Sequence, residues 1–132
     1  MSRVIHPEGW PPAKGFAHGV LAEGRTVWVA GQIGSDPAGN FADGLAAQAE
    51  QALRNIAAVL AAAGAKPEQV VRLTWYMTDL ADYTARLKEI GQAYRRVMGR
   101  HFPAMTAVEV RRLVEPRALI EIEATAVVPE LT

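Results

Sequence analysis

Ile120-Glu121-Ile122-Glu123-Ala124-Thr125-Ala126 is the stretch whose reading decides the fold. Apolar and polar residues alternate with a period of two, which is the mark of a strand with one face in a core and the other turned away from it. Ile120, Ile122, Ala124 and Ala126 share the first face, while Glu121, Glu123 and Thr125 share the second. Just upstream, Phe102-Pro103-Ala104-Met105-Thr106-Ala107-Val108-Glu109-Val110 also reads as extended. Two closing strands are therefore expected, from about Ala104 to Leu113 and from Leu119 to Val128, with Glu115-Pro116-Arg117 as the turn between them.

Working outward, Val70 to Met77 is β-branched and aromatic, and reads as a third strand. Regular alternation puts Val71, Leu73, Trp75 and Met77 on one side and Val70, Arg72, Thr74 and Tyr76 on the other, with both sides largely apolar. A helix is expected from about Gly44 to Ala63, because Leu45, Ala49, Ala52, Leu53, Ile56 and Leu60 recur at steps of three and four; Asp43 can cap it and Gly64 stop it. A second helix from about Leu80 to Met98 follows from Leu80, Tyr83, Leu87, Ile90, Tyr94 and Val97, and ends at Gly99. Pro7, Gly9, Pro11, Pro12 and Gly15 make residues 1–15 an irregular arm. His18 to Leu21 and Thr26 to Gln32 flank Glu23-Gly24 as a hairpin. Gly34 to Gly44 is a loop without phosphate-binding spacing. The order is ββαβαββ in a single domain spanning residues 1–132.

The chain has 132 residues, half of them hydrophobic, enough for one core. Lys plus Arg and Asp plus Glu both total 14, so no charge excess favours nucleic acid or an anionic membrane. The absence of cysteine removes disulfides, thiolate nucleophiles and cysteine-bound metal from consideration. No run reaches the ~20 apolar residues of a membrane span, and Met1 to Trp10 lacks the apolar stretch of a signal peptide. A cytoplasmic protein is expected. Histidine and acidic residues do not fall at metal-ligand spacing, so neither metal nor cofactor is expected. Two helices cover only one face of a sheet. The other face, carrying either Val27 and Val29 or Trp28 and Ala30 together with one side of Val70 to Met77, is expected to be covered by self-association.

Phe102 to Val110 and Ile120 to Ala124, together with Ala30-Gly31-Gln32 and Gln51-Ala52-Leu53-Arg54-Asn55-Ile56, resemble the RidA/YjgF reactive-intermediate deaminases over about Lys14 to Val128. That resemblance implies an α+β, chorismate-mutase-like domain with a mixed sheet and two helices on one face. It also implies a homotrimer with small-molecule clefts between neighbouring subunits, and an activity that hydrolyses enamines and imines. The first glutamate of the Glu-Ile-Glu-Ala segment matches Glu121, the implied catalytic residue that positions or protonates a water. Phe16, Ala30, Gly31, Gln32, Pro103, Ala104 and Met105 match the implied substrate-binding positions.

Several of these positions depart from the family pattern. Met105 stands where deaminating members carry the arginine that grips a substrate carboxylate. An unpaired charge in a dry pocket costs about 3–5 kcal/mol, a hundredfold or more in binding, so an ordinary 2-imino acid should be poorly held. Phe16 replaces a tyrosine and Ala30 a serine, and the asparagine of the second helix falls by spacing near Leu87 or Gly91. The resulting cleft suits an aromatic or alkyl substituent. Arg111, Arg112, Arg100 or His101 could supply a substitute cation, and His18 or His101 could carry a proton. Each also has a plainer reading. The glutamates can be a solvated strand face, Met105 a core filler, the arginines solvated element ends and Trp75 core packing rather than the floor of a pocket. Two functions are weighed: a Rid-like hydrolase of altered specificity, and a non-catalytic trimer that binds or senses a small metabolite. A third, ribonuclease activity, is disfavoured by the balanced charge.

Overall fold

Leu73, Trp75 and Met77 point from a central strand into the same core as Ile120, Ile122, Ala124 and Ala126. The computed structural model describes residues 2–130. Its elements in chain order are strand β1 (Ser2–Ile5), β2 (Gly19–Ala22), β3 (Arg25–Ile33), helix α1 (Leu45–Ala62), a short 3-10 turn at Pro67–Gln69, β4 (Val70–Met77), α2 (Leu80–Ala85), α3 (Leu87–Met98), β5 (Ala104–Glu109) and β6 (Ile120–Val128). The main sheet has the order β3-β6-β4-β5; β4 and β5 are parallel and the other pairs antiparallel. Helices α1 and α3 pack on one face, burying Ala49, Ala52, Leu53, Ile56, Leu60, Ile90, Tyr94 and Met98 against the strands. The expected α+β fold with a mixed sheet and helices on one face is observed.

Several boundaries differ from expectation. Residues 2–5 of the supposed irregular arm form β1, which pairs with β2. Glu23-Gly24 does not close a β2–β3 hairpin, because β2 gives its ladder to β1 while β3 pairs with β6. The chain passes so close to β6 here that a side chain at Gly24 would put its Cβ 2.2 Å from the Val128 carbonyl oxygen. The N-cap of α1 is Gly44, without a side-chain hydrogen bond, rather than Asp43. The second helix is broken at Arg86, whose backbone leaves helical geometry at φ −120°. Its guanidinium bridges the two pieces, lying 2.7 Å from Asp82 and 3.6 Å from Glu89. The order is thus βββαβααββ rather than ββαβαββ, and β5 ends at Glu109, short of Leu113.

The unhelical face of the sheet is also more polar than the alternation implied. Register shifts between Val70 and Arg72 against β6, so Val70 turns into the core with Leu73 rather than outward with Arg72. What β4 presents outward is Arg72, Thr74 and Tyr76. From β3 the open face receives Trp28, which is 78% exposed, while Val29 joins the core. Beside Trp28 lies a shallow concavity of about 470 Å³ lined by Ala30, Arg72, Thr74, Glu123 and Thr125. Trp75 is core, packed near Tyr83 and Tyr94 and buried to 4% exposure. Its indole Nε1 finds no partner among the described residues.

Candidate functional site

The eight residues singled out in the sequence fall into two groups. Ala30, Gly31, Gln32 and Glu121 lie at the β3–β6 side of the sheet. Here Val29 pairs with Ala124 but Gln32 with Ile122, so three steps along β3 answer two along β6. Ala30 and Gly31 occupy this bulge, a feature that re-aims the strand locally. The Gln32 side-chain amide donates to the Ala30 carbonyl at 3.1 Å and braces the bulge. Gly31 matters because it has no side chain: a Cβ there would lie 2.0 Å from Glu121 Oε2 and 2.7 Å from its Cδ. The carboxyl group of Glu121 thus rests directly on the Gly31 backbone.

Glu121 and Glu123 share the open face, but their surroundings differ. The Tyr76 hydroxyl donates to Glu123 Oε1 at 2.5 Å. That hydrogen bond, with burial, raises the tyrosine's pKa and keeps its proton in place. Glu121 makes no hydrogen bond or ion pair among the described residues. One carboxylate is therefore committed to holding the sheet face and the other is free to engage a ligand. Period-two alternation could place both on one face. It could not find Tyr76, because the cross-strand register that brings Tyr76 beside them is not written in either strand alone.

The second group, Phe16, Pro103, Ala104 and Met105, lies at the opposite edge. Ala17, buried between Phe16 and His18, donates its N–H to the Pro103 carbonyl at 3.0 Å and bridges Ala104 in parallel. Met105 pairs in register with Leu73 and packs half-buried against the core, so it points to the helical face. Glu121 pairs with Tyr76 on the open face. Strands stand ~4.8 Å apart, so β5 and β6, separated by β4, are about 10 Å apart in the sheet. Within one subunit, Met105 and Glu121 thus lie on opposite faces and two strands apart.

Arg72 pairs in register with Ala104 and reaches Thr106 Oγ1 at 3.2 Å on the open face. Arg111 and Arg112 are exposed in the connection after β5, and Arg100 is exposed after α3. His101 has its Nε2 2.6 Å from the Val70 carbonyl oxygen, and its own carbonyl accepts from the Tyr94 hydroxyl at 2.5 Å. That histidine ties α3 to β4 rather than facing a ligand. Leu87 is exposed at the start of α3, and Gly91 is half-buried within it.

Two helix side chains, Gln48 and the Asn55 of the quoted Gln51–Ile56 segment, tie α1 to the neighbouring loops. Gln48, 3% exposed, donates to the carbonyls of Ala42 and Arg117, each at 3.2 Å, and accepts from the Leu119 N–H at 2.8 Å. Asn55 donates to the Ile33 and Ser35 carbonyls at 3.1 and 2.8 Å. A polar residue on the apolar face of a helix was the available signal for Gln48. Among the described residues no group of three or more His, Cys, Asp or Glu could hold a metal ion, and no helix is long and apolar enough to cross a membrane.

Comparison with known proteins agrees with this fold. The family model described as Endoribonuclease L-PSP matches residues 8–128. The 2-iminobutanoate/2-iminopropanoate deaminase of Salmonella typhimurium is 40% identical over 129 residues, covering 96% of this chain and 98% of that protein. The human protein of the same name is 35% identical over 133 residues, covering 98% and 93%. A crystal structure of the Rid-family protein YyfB from Yersinia pestis, described as of unknown function, superposes with a TM-score of 0.86 at 39% identity, covering 96% of this chain and 98% of that one. With near-complete coverage in both directions and a family model spanning the core, the chain belongs to the RidA/YjgF family.

Proposed function

We propose that this protein is a Rid-type deaminase that hydrolyses imines or enamines in clefts shared between the subunits of a homotrimer. The single observation that carries the reading is the free carboxyl group of Glu121 lying on the bare backbone of Gly31. Hydrolysis requires protonation of an imine's nitrogen, or of an enamine's β-carbon to give the iminium, then addition of a water oxygen to the C=N carbon, rupture of the C–N bond and departure of ammonia. The carbonyl compound remains, and no oxidant or metal is consumed. A carboxyl group can pass that proton and orient the water within one short path. Gly31, Ala30 and Gln32 would then form the wall against which the reacting carbon sits.

The opposite placement of the two groups supports the shared cleft. Phe16, Pro103 and Met105 cannot face Glu121 in their own subunit, whereas a neighbour's copy can. A closed ring would also cover the exposed Trp28 on the open face. Met105 gives the incoming half of the cleft a thioether in place of a guanidinium, which favours substrates without a carboxylate at that point.

The test is a panel of imines generated in situ by amino-acid and amine oxidases, with survivors trapped by semicarbazide, run alongside sedimentation of the wild type. Turnover lost in Glu121→Gln, from a protein that sediments as a trimer, is expected. A trimer that binds members of the panel but turns none over would instead make the protein a metabolite-binding or sensing member of the family. A monomer would remove the shared cleft altogether.

A further inference from the structure

Four rings gather at the start of the chain without being buried. His18 has the Trp10 ring at 4.9 Å and the Phe16 ring at 5.2 Å, both edge-on, and the His6 ring at 5.4 Å. His6 Nε2 lies 3.0 Å from the Trp10 carbonyl oxygen, which fixes the two ends of the intervening turn. Trp10 remains 54% exposed and Phe16 38% exposed. Rings that served only to anchor this segment would be expected to lose most of their surface to the core. These meet chiefly one another. Pro7, Pro11 and Pro12 stiffen the segment that displays them, so the cluster is held open at little entropic cost.

The cluster lies at the Met105 half of the proposed cleft. Ala17 is bridged to Ala104, and in paired strands the residues flanking the bridge share a side. Phe16 and His18 therefore stand on the same side of this edge as Pro103 and Met105. Neither ring nitrogen of His18 has a hydrogen-bond partner among the described residues. The resulting surface is aromatic, polarisable and furnished with one free imidazole.

We infer that Trp10, Phe16 and His18 form the specificity wall of the cleft and select imines or enamines bearing an aromatic ring where 2-imino acids bear a carboxylate. The inference rests on the hydrolytic reading above. The substrate ring stacks against Trp10 and Phe16, and His18 hydrogen-bonds at its rim, so Trp10 and His18 determine specificity without touching the reacting carbon.

Two measurements on the full-length protein separate this inference from the reading beneath it. The first compares hydrolysis of the imine that a flavin amine oxidase releases from benzylamine, whose ring sits directly on the C=N carbon, with that of 2-iminopropanoate. The preference for the phenyl imine is expected to fall roughly two- to twelvefold in Trp10→Leu, the range of one lost aromatic contact, and to fall also in His18→Asn. The second follows the histidine ring resonances while acetophenone or pyruvate is added; acetophenone should move the His18 signals and pyruvate should not. If hydrolysis runs and depends on Glu121 while both the preference and the His18 signals stay unchanged, the aromatic wall is overturned and the hydrolytic reading stands. If no imine is hydrolysed yet acetophenone moves His18, the wall stands and the hydrolytic reading falls.

Discussion

Gly31→Ala should disable the protein while leaving its fold nearly intact. The added Cβ would sit 2.0 Å from Glu121 Oε2 and 2.9 Å from its Cγ, whereas ordinary contact begins near 3.4 Å. The obstacle is the end of a flexible side chain and Gly31 does not need a left-handed backbone, so the conflict is relieved by rotating Glu121 away. The stability change should stay within about 1 kcal/mol, as for other exposed substitutions without a backbone penalty. The carboxyl oxygen, however, must retreat by more than 1 Å. Displacement of that size costs about a hundredfold in rate when positioning matters, and removal of a general acid–base group costs roughly 10²–10⁴-fold. Gly31→Ala should thus lose about two orders of magnitude in kcat on the best imine of the panel, approaching Glu121→Gln. Thermal unfolding should shift by no more than a few degrees. Full turnover in Gly31→Ala beside an inactive Glu121→Gln would refute the claim that the carboxyl group acts from its position over Gly31. Full turnover in both would remove Glu121 from the chemistry.

Three further outcomes are expected. Met105→Arg should improve binding of 2-imino acids such as 2-iminopropanoate by up to about a hundredfold, because it supplies a counter-charge to a carboxylate in a largely dry cleft; competition against semicarbazide reads this directly, and no gain would mean that the Met105 side chain does not face the substrate. Gln48→Ala should destabilise the protein by about 2–4 kcal/mol, since it strands two carbonyls and one N–H beneath the loops that flank α1; urea unfolding measures it. Glu50, which accepts from Arg96 and Arg54, has its pKa held below the ordinary 4.5 by those hydrogen bonds. A depressed folded pKa stabilises the protein above the unfolded value and loses that effect as pH falls through the folded one. Glu50→Gln should therefore lower stability slightly at neutral pH, within the ~0.2–1 kcal/mol of exposed pairs, with the difference vanishing under acid conditions and in high salt.

The residues that sequence reasoning places correctly are those whose environment is set locally. Ile120 to Ala126 alternates because each residue sees one face, and Leu45 to Leu60 repeats because one helical stripe meets the core. The residues it misplaces depend on a partner strand. Val70 turns inward because β6 pairs Ala126 with Val70 but Thr125 with Arg72, an offset defined only once two strands lie side by side. The bulge at Ala30 and Gly31 has the same origin. β1 is hidden by prolines and glycines that follow it, because its pairing with β2 is long-range and leaves no periodic trace in four residues.

The candidate site is legible to the same extent and for the same reason. Alternation puts Glu121 and Glu123 on one face, but only the register that delivers Tyr76 to Glu123 leaves Glu121 as the available acid. Register likewise assigns Met105 to the helical face through Leu73 and Glu121 to the open face through Tyr76. Two positions matched to one site yet separated by a sheet cannot cooperate within a single subunit. For both to act on one substrate the cleft must be assembled from two copies, and dissociating the subunits should abolish turnover even though every subunit retains all eight residues.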